Sequence, residues 1–312
     1  MTLARWLAEA SRQLTAAGRD ERESRQDLAA LARWHLGWTA ARWLADQRDQ
    51  APAGFVEAIA PLVARRERGE PVAYLTGERE FYGRTFRVTP VVLIPRPETE
   101  LVVSEALACL AGLASGVTSP PVVVDVGTGS GCIAVTMAIE RPVARVIATD
   151  VSPDALGVAE DNARRLGVAD RIAFHHGSLL AGVDAPVDLI VSNPPYVAIV
   201  DRASLIVDVE RYEPAVALFG GNDGLDVIRG LMPAAAAALR PGGWLVMEIG
   251  LGQADAVRRL LEADQTWSAI RVLPDLQQIP RVVVARVTSF SSGASSPDAS
   301  SGVAAGPAAG RS

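Results

Sequence analysis

The sequence predicts an α/β protein in which a mainly parallel sheet, covered by helices on both faces, follows a small helical domain. Three observations predict it. From Pro121 onward, short apolar runs alternate with stretches of helical periodicity. The first of these runs, Val122–Val126, is continuous, as in a strand buried on both faces. Over the first seventy residues, by contrast, the apolar side chains recur at three- and four-residue spacing.

Leu3, Trp6, Leu7, Ala10 and Leu14 mark one helix of the N-terminal part; Leu28, Leu31 and Trp34 mark a second, and Phe55, Ile59, Leu62 and Val63 another. Four of the chain's six tryptophans (Trp6, Trp34, Trp38 and Trp43) fall here, and large rings of this kind are the expected core of a helical bundle. Residues 71–94 change character. Segments 72–75, 80–82 and 85–88 are separated by Gly77 and Gly83, which predicts a short hairpin joining the bundle to the larger C-terminal part. Pro97 with Glu98 and Glu100 then opens a helix, because proline presets the first-turn backbone angle and acids suit the positive helix end. It runs through Leu101, Val102, Ala106 and Leu110 into the Gly/Ser-rich stretch 115–120.

Strands are expected at 122–126, 145–149, 171–175, 187–192, 243–248 and 281–287, with helices at 131–140, 153–166, 228–239 and 254–261. Right-handed crossovers join such units into one sheet. The expected division is a helical domain over 1–70, a hairpin linker over 71–97, an α/β domain over 98–288 and a tail over 289–312. The tail is mostly Ser, Ala, Gly and Pro and is predicted to be disordered, having too little apolar surface to offset its ordering entropy.

Composition narrows the function. The 312 residues are 49% hydrophobic and 21% charged, which supplies ample material for a core. Thirty basic against thirty-six acidic side chains give a net charge of −6, which argues against a general nucleic-acid binder. Two cysteines, Cys109 and Cys132, exclude a disulfide framework and a multi-thiolate zinc site, and three histidines leave little for a His-rich metal centre. His175-His176 reads as a strand end, with no metal expected. The N-terminus runs into a charged helical pattern and no stretch reaches eighteen apolar residues, so a cytoplasmic protein without a membrane span is expected.

Two motifs carry chemistry. Asp125-Val126-Gly127-Thr128-Gly129-Ser130-Gly131 leaves a strand and opens a helix, and its glycines let a ligand lie against the main chain. The spacing is not that of dinucleotide folds, and no Gly-Lys-Ser/Thr comes after it, which excludes a phosphate-cradling P-loop. Asp150 ends the next strand, where a carboxylate can accept from both hydroxyls of a ribose. A tight turn and a helix-capping acid would account for each piece separately. Their order on one βαβ unit points to a nucleoside-bearing cofactor.

Ser192-Asn193-Pro194-Pro195-Tyr196 comes directly after the fourth strand, and the carboxyl ends of the strands near the first are where open parallel sheets bind ligands. Asn-Pro is also an ordinary turn starter. Two prolines stiffen the turn, however, and can hold the Asn193 side-chain oxygen and the Pro194 carbonyl as fixed acceptors beside an aromatic ring. Those parts suit a planar amino group attached to a carbonyl or a heteroaromatic ring. Its nitrogen is a poor nucleophile, and accepting both N–H bonds directs its lone pair out of the plane.

Asp-x-Gly-x-Gly-x-Gly resembles the first motif of S-adenosylmethionine-dependent methyltransferases. Together with Asn193–Tyr196, the strings at 94–100 (Ile-Pro-Arg-Pro-Glu-Thr-Glu), 211–214 (Arg-Tyr-Glu-Pro) and 278–281 (Gln-Ile-Pro-Arg) resemble the HemK/PrmC family over about residues 1–287. That family methylates the glutamine of the Gly-Gly-Gln motif in class-I peptide chain release factors. The resemblance implies a seven-stranded Rossmann-like S-adenosylmethionine methyltransferase domain with its last strand antiparallel, and a helical domain that recognises the protein partner. It implies S-adenosylmethionine as donor, no metal and no direct nucleic-acid substrate.

On this reading Gly127, Thr128, Gly129, Ser130 and Gly131 hold the methionine end, Asp150 the ribose, and Leu179 an apolar wall at the adenine. Asn193, Pro194, Pro195 and Tyr196 take the acceptor amide, Asn193 also bordering the cofactor; Asn193 and Tyr196 are the expected catalytic pair, with the Tyr196 ring on the amide plane. Ser178 stands where many relatives carry an acid for the adenine amino group. The sister family that methylates a ribosomal-protein glutamine usually lacks the intact Arg-Pro-Glu-Thr-Glu string. An adenine amino-methyltransferase of DNA or RNA could use the same turn on a flipped base, but would need a basic groove. A cofactor-binding protein without catalysis would have lost Asn193 or Tyr196, and both are present.

Overall fold

In the computed structural model, which describes residues 1–113 and 119–288, the chain begins with four helices: α1 (Leu3–Ala16), α2 (Glu21–Leu36), α3 (Ala40–Asp46) and α4 (Phe55–Glu67). Thr2, Asp20 and Thr39 cap the first three through side-chain oxygens that accept from the backbone N–H three residues on. Their apolar stripes meet in one core, where the Trp6 and Phe55 rings pack edge to face at 5.0 Å. Trp6 and Trp43 are buried in that core and Trp38 packs at its edge. Trp34 does not join them; it is 43% exposed.

Residues 72–75 are not extended but form the short helix α5 (Val72–Thr76). The Pro71 carbonyl accepts from both Tyr74 and Leu75 N–H, and Gly77, at a φ of +73°, ends the turn. Leu75 joins the helical core, while Tyr74 faces the next segment and donates its hydroxyl to the Val92 carbonyl. The hairpin itself is β1 (Glu78–Phe81) paired antiparallel with β2 (Arg84–Arg87). Its Phe81 and Phe86 are buried against the larger domain.

That domain alternates as its apolar pattern requires: α6 (Thr99–Leu113), β3 (Val122–Val126), α7 (Cys132–Glu140), β4 (Arg145–Asp150), α8 (Pro153–Arg165), β5 (Ile172–His176) and β6 (Val187–Ser192). Then come α9 (Val207–Tyr212), α10 (Ala215–Leu218), α11 (Asp226–Ala238), β7 (Leu239–Glu248), α12 (Ala254–Glu262), β8 (Trp267–Pro274) and β9 (Pro280–Val287). The seven strands are ordered β5-β4-β3-β6-β7-β9-β8, and β9 alone runs antiparallel to its neighbours. This is the seven-stranded Rossmann-like arrangement. Strand β8, absent from the sequence expectation, is the sheet edge; only Trp267 is fully buried, so no continuous apolar run announces it.

Two apolar layers sandwich the sheet, one with α6, α7 and the hairpin phenylalanines, the other with α11 and α12. The strand order reverses between β3 and β6, which opens a crevice at their carboxyl ends. Helix α9 reaches back to the N-terminal helices: Asp208 accepts from Arg19 and from the buried Arg66, both at 2.7 Å. Part of the expected helix terminus at 115–120 and the whole tail 289–312 lie outside the described residues. No described helix is long and apolar enough to cross a membrane.

Candidate active site

A cavity of about 480 Å³ opens at the switch point, within the range of small-molecule sites. The glycine loop forms its floor. Gly127 and Gly129 have φ of +71° and +54°, and a Cβ on either would meet nothing within 4 Å, so main chain faces open space. Gly131 is required for another reason: its Cβ would stand 3.0 Å from that of Ala159 on α8. Asn162, also on α8, donates from Nδ2 to the Ser130 carbonyl and so holds the end of the loop.

Asp125 lies beneath the loop, fully buried, its Oδ2 accepting from the Thr128 hydroxyl (2.6 Å) and the Ala134 N–H (3.0 Å). Its Oδ1 has no partner. Burial pushes the carboxyl up to about 7, against the two donors, which favour the charged form. Asp150 lines the cavity at the end of β4, with Oδ2 accepting from Gly129 N–H and Oδ1 from Ser152 N–H, both at 2.9 Å. Each oxygen keeps a second lone pair. Ser178 and Leu179 form the far wall; Leu179 has a φ of +52°, and its carbonyl accepts from Thr149 Oγ1.

Asn193, Pro194 and Pro195 also line the cavity. Asn193 Nδ2 donates to Thr99 Oγ1 at 2.9 Å, and Thr99 donates its own proton to Glu248 Oε2 at 2.6 Å. Neither Asn193 Oδ1 nor the Pro194 carbonyl accepts a hydrogen bond from the described residues. The turn thus holds two free acceptors on adjacent residues. Tyr196 is not among the lining residues: its ring packs at Gly250 and its hydroxyl donates to Glu248 Oε1 at 3.1 Å. Gln253 Nε2 latches the same turn by donating to the Tyr196 carbonyl.

The strings at 94–100 and 211–214 resolve into partners. Arg96 donates to Glu213 of the Arg-Tyr-Glu-Pro string at 2.5 Å, Thr99 joins Asn193 to Glu248, and Glu100 accepts from the Tyr82 N–H. Sequence reasoning did not single out Thr99, Glu248, Gln253 or the lining residues Val216 and Phe219. Glu248 had a signal: it is a lone acid at the carboxyl end of an apolar strand, the end at which open parallel sheets bind ligands. His175 and His176 end β5, and His176 Nε2 bonds the Val151 carbonyl; no group of three potential metal ligands occurs among the described residues.

Comparison with known proteins gives the family. The family described as PrmC N-terminal domain matches residues 5–77, and the Methyltransferase small domain family matches residues 113–208. The release factor glutamine methyltransferase of Cereibacter sphaeroides is 44% identical over 275 residues, covering 88% of this chain and 94% of that protein. That of Moorella thermoacetica is 43% identical over 276 residues, covering 88% and 95%. Among solved structures, the hMettl16 catalytic domain in complex with MAT2A 3′UTR hairpin 6 matches with a TM-score of 0.55 at 15% identity, over 74% of this chain and 82% of that one. At that identity the likeness speaks of fold alone. The two full-length relatives speak of more, and the chain belongs to the release factor glutamine methyltransferase family.

Proposed function

We propose that this protein transfers a methyl group from S-adenosylmethionine to the side-chain amide nitrogen of the glutamine in the Gly-Gly-Gln motif of class-I release factors, in the cytoplasm. The observation that carries the reading is the pair of unpartnered acceptors, Asn193 Oδ1 and the Pro194 carbonyl, on residues that line the same cavity as the glycine loop. A primary amide offers two N–H donors on one nitrogen, which is the complement of that pair.

The residues fit the donor molecule. The open space beside Gly127 and Gly129 admits a chain lying on the backbone. The spare lone pairs of Asp150 suit the two ribose hydroxyls, and Leu179 offers an apolar wall to a base. Bound there, S-adenosylmethionine supplies an electrophilic methyl group on a sulfonium.

The protein's part is positioning. Accepting both amide protons, Asn193 and Pro194 hold the nitrogen and direct its lone pair out of the amide plane. The stiff Pro-Pro turn keeps those acceptors fixed while charge develops on nitrogen, so little reorganisation is needed during reaction. Once the nitrogen has gained its fourth bond it is strongly acidic, and its proton leaves without a dedicated base. Tyr196 serves the turn through its hydroxyl. Residues 1–70 supply the remote surface for the folded partner, and the Arg19/Arg66–Asp208 pairs anchor them to the catalytic part.

Radiolabelled methyl transfer into an intact release factor, a short Gly-Gly-Gln peptide, ribosomal protein and DNA tests the proposal. The intact factor should be labelled more efficiently than the peptide by on the order of a hundredfold, because remote contacts orient a weak nucleophile. Label in DNA or ribosomal protein, with none in the release factor, overturns it.

A further inference from the structure

An asparagine amide can face its site with either end. In one orientation it offers an acceptor, and flipped by 180° it offers two donors, which would repel the N–H groups of an acceptor amide. Something must choose between them, and the two prolines cannot, because they fix backbone and leave the last side-chain torsion free.

The hydrogen bonds beneath Asn193 make the choice. Glu248 ends β7 with 1% exposure, and no Lys, Arg or His forms an ion pair with it among the described residues. Its carboxylate accepts from two hydroxyls: Thr99 on Oε2 at 2.6 Å and Tyr196 on Oε1 at 3.1 Å. When Glu248 is ionised it has no proton to give, and the single proton of Thr99 then points at its Oε2, as the 2.6 Å bond records. The Thr99 oxygen is then left with lone pairs only toward Asn193. It can accept and cannot donate, which draws Asn193 Nδ2 inward at 2.9 Å and turns Oδ1 toward the cavity.

We propose that Glu248 is a positioning residue that, through Thr99, sets the polarity of the Asn193 amide and so makes its oxygen the group that receives the substrate. The inference rests on the reading of Asn193 as the acceptor contact. It gives the Arg-Pro-Glu-Thr-Glu string a role in chemistry: its threonine is the coupling between a buried charge and the turn. It also gives Tyr196 a role that does not require its ring to touch substrate. Its hydroxyl occupies the second carboxylate oxygen and leaves the first to Thr99.

The chain has three asparagines, Asn162, Asn193 and Asn222, so selective ¹⁵N-asparagine labelling yields three side-chain amide pairs to follow by NMR. Asn162 is buried with two backbone acceptors and Asn222 is exposed, which brackets the exchange scale. In the wild-type protein the Asn193 amide proton donated to Thr99 should be protected from exchange with water. Thr99→Val keeps the shape and removes the acceptor; exchange at Asn193 should quicken about tenfold or more, and the methyl-transfer rate fall by a similar factor. Cofactor affinity should stay unchanged. Thr99→Ser restores the hydroxyl and should recover both readouts.

Glu248→Gln offers one acceptor oxygen where the carboxylate offers two, and should lie between wild type and Thr99→Val. Unchanged exchange and transfer in Thr99→Val, or in Glu248→Gln, overturns the proposal. Failure of the underlying reading looks different: Asn193→Ala would then transfer at a near-normal rate, whatever the amide exchange in the threonine variants.

Discussion

Four carboxylates are buried among the described residues, and they divide into two kinds. Asp188 and Glu213 each have an arginine, Arg240 and Arg96. Asp125, under the glycine loop, and Glu248, under the Asn193 turn, have none, and each is held by hydrogen-bond donors alone. The donors of Asp125 are Thr128 and Ala134, three and nine residues away along the chain. Those of Glu248 are Thr99 and Tyr196, at separations of 149 and 52. Burial raises both groups above the ordinary carboxylate range. One wall of the cavity therefore has its buried acid met within a single βα unit, with β4 and α8 of the next unit holding the loop above it. The other is a convergence of α6, the turn after β6 and the end of β7, and exists only when the whole sheet has assembled.

If the walls are built separately, they should be separable by mutation. The largest effect is expected at Asn193→Ala, where loss of one fixed polar contact to the reacting group costs on the order of 10²–10³ in transfer rate. Cofactor affinity, measured by calorimetry, should stay within a few-fold, because the loop and Asp150 are untouched. A parallel collapse of cofactor binding would join the two walls into one unit and break the distinction.

The reciprocal variant is Asp150→Ala. It removes the acceptor for the Gly129 N–H as well as the expected ribose contact, so it loosens the loop and the ligand together. Cofactor binding should weaken by about 1.5–3 kcal/mol, the range for hydrogen bonds to a charged group. Affinity for an intact release factor, measured without cofactor, should not change. Calorimetry showing full cofactor affinity would take Asp150 out of the site.

The same division explains what could be read from sequence. Gly127–Gly131 and Asp150 are contiguous or one strand apart, and the backbone angles they need are written in the residue types themselves. The Asn193 turn was legible for the same reason: two prolines announce a stiff turn wherever they stand. Thr99 lies in the Arg-Pro-Glu-Thr-Glu string, but an isolated threonine at a helix start has many uses, and its partners are 94 and 149 residues away. The partners of Tyr196 are equally remote: its ring packs at Gly250, and Glu248 accepts its hydroxyl. The α5 helix is a milder case: four apolar residues fit strand or helix, and Gly77 at positive φ closes a helical turn. Edge strand β8 failed for want of burial on both faces.

The smallest expected effect is thermal, and it separates Asp125 from Glu248 through pH. Burial carries the Asp125 carboxyl from 3.8 to about 7 in the folded protein. Between those values the folded state keeps a proton that the unfolded state has released. Its stabilising contribution is complete below the lower value and is lost as pH rises through about 7. Asparagine has the same shape: its oxygen can accept from Thr128 and Ala134, and its nitrogen falls where Asp125 Oδ1 already lacks a partner. Asp125→Asn therefore removes the pH-dependent loss without opening a cavity. In calorimetry of the cofactor-free protein between about pH 5 and pH 8, the wild-type Tm should fall more than that of the variant, by a few degrees on the usual scaling. Glu248 is raised in both proteins and cancels from the difference. Equal slopes would mean that Asp125 is already ionised at the acid end, with the charge met by donors beyond the two its loop supplies. The local wall would then owe its stability to distant groups, as the other wall does.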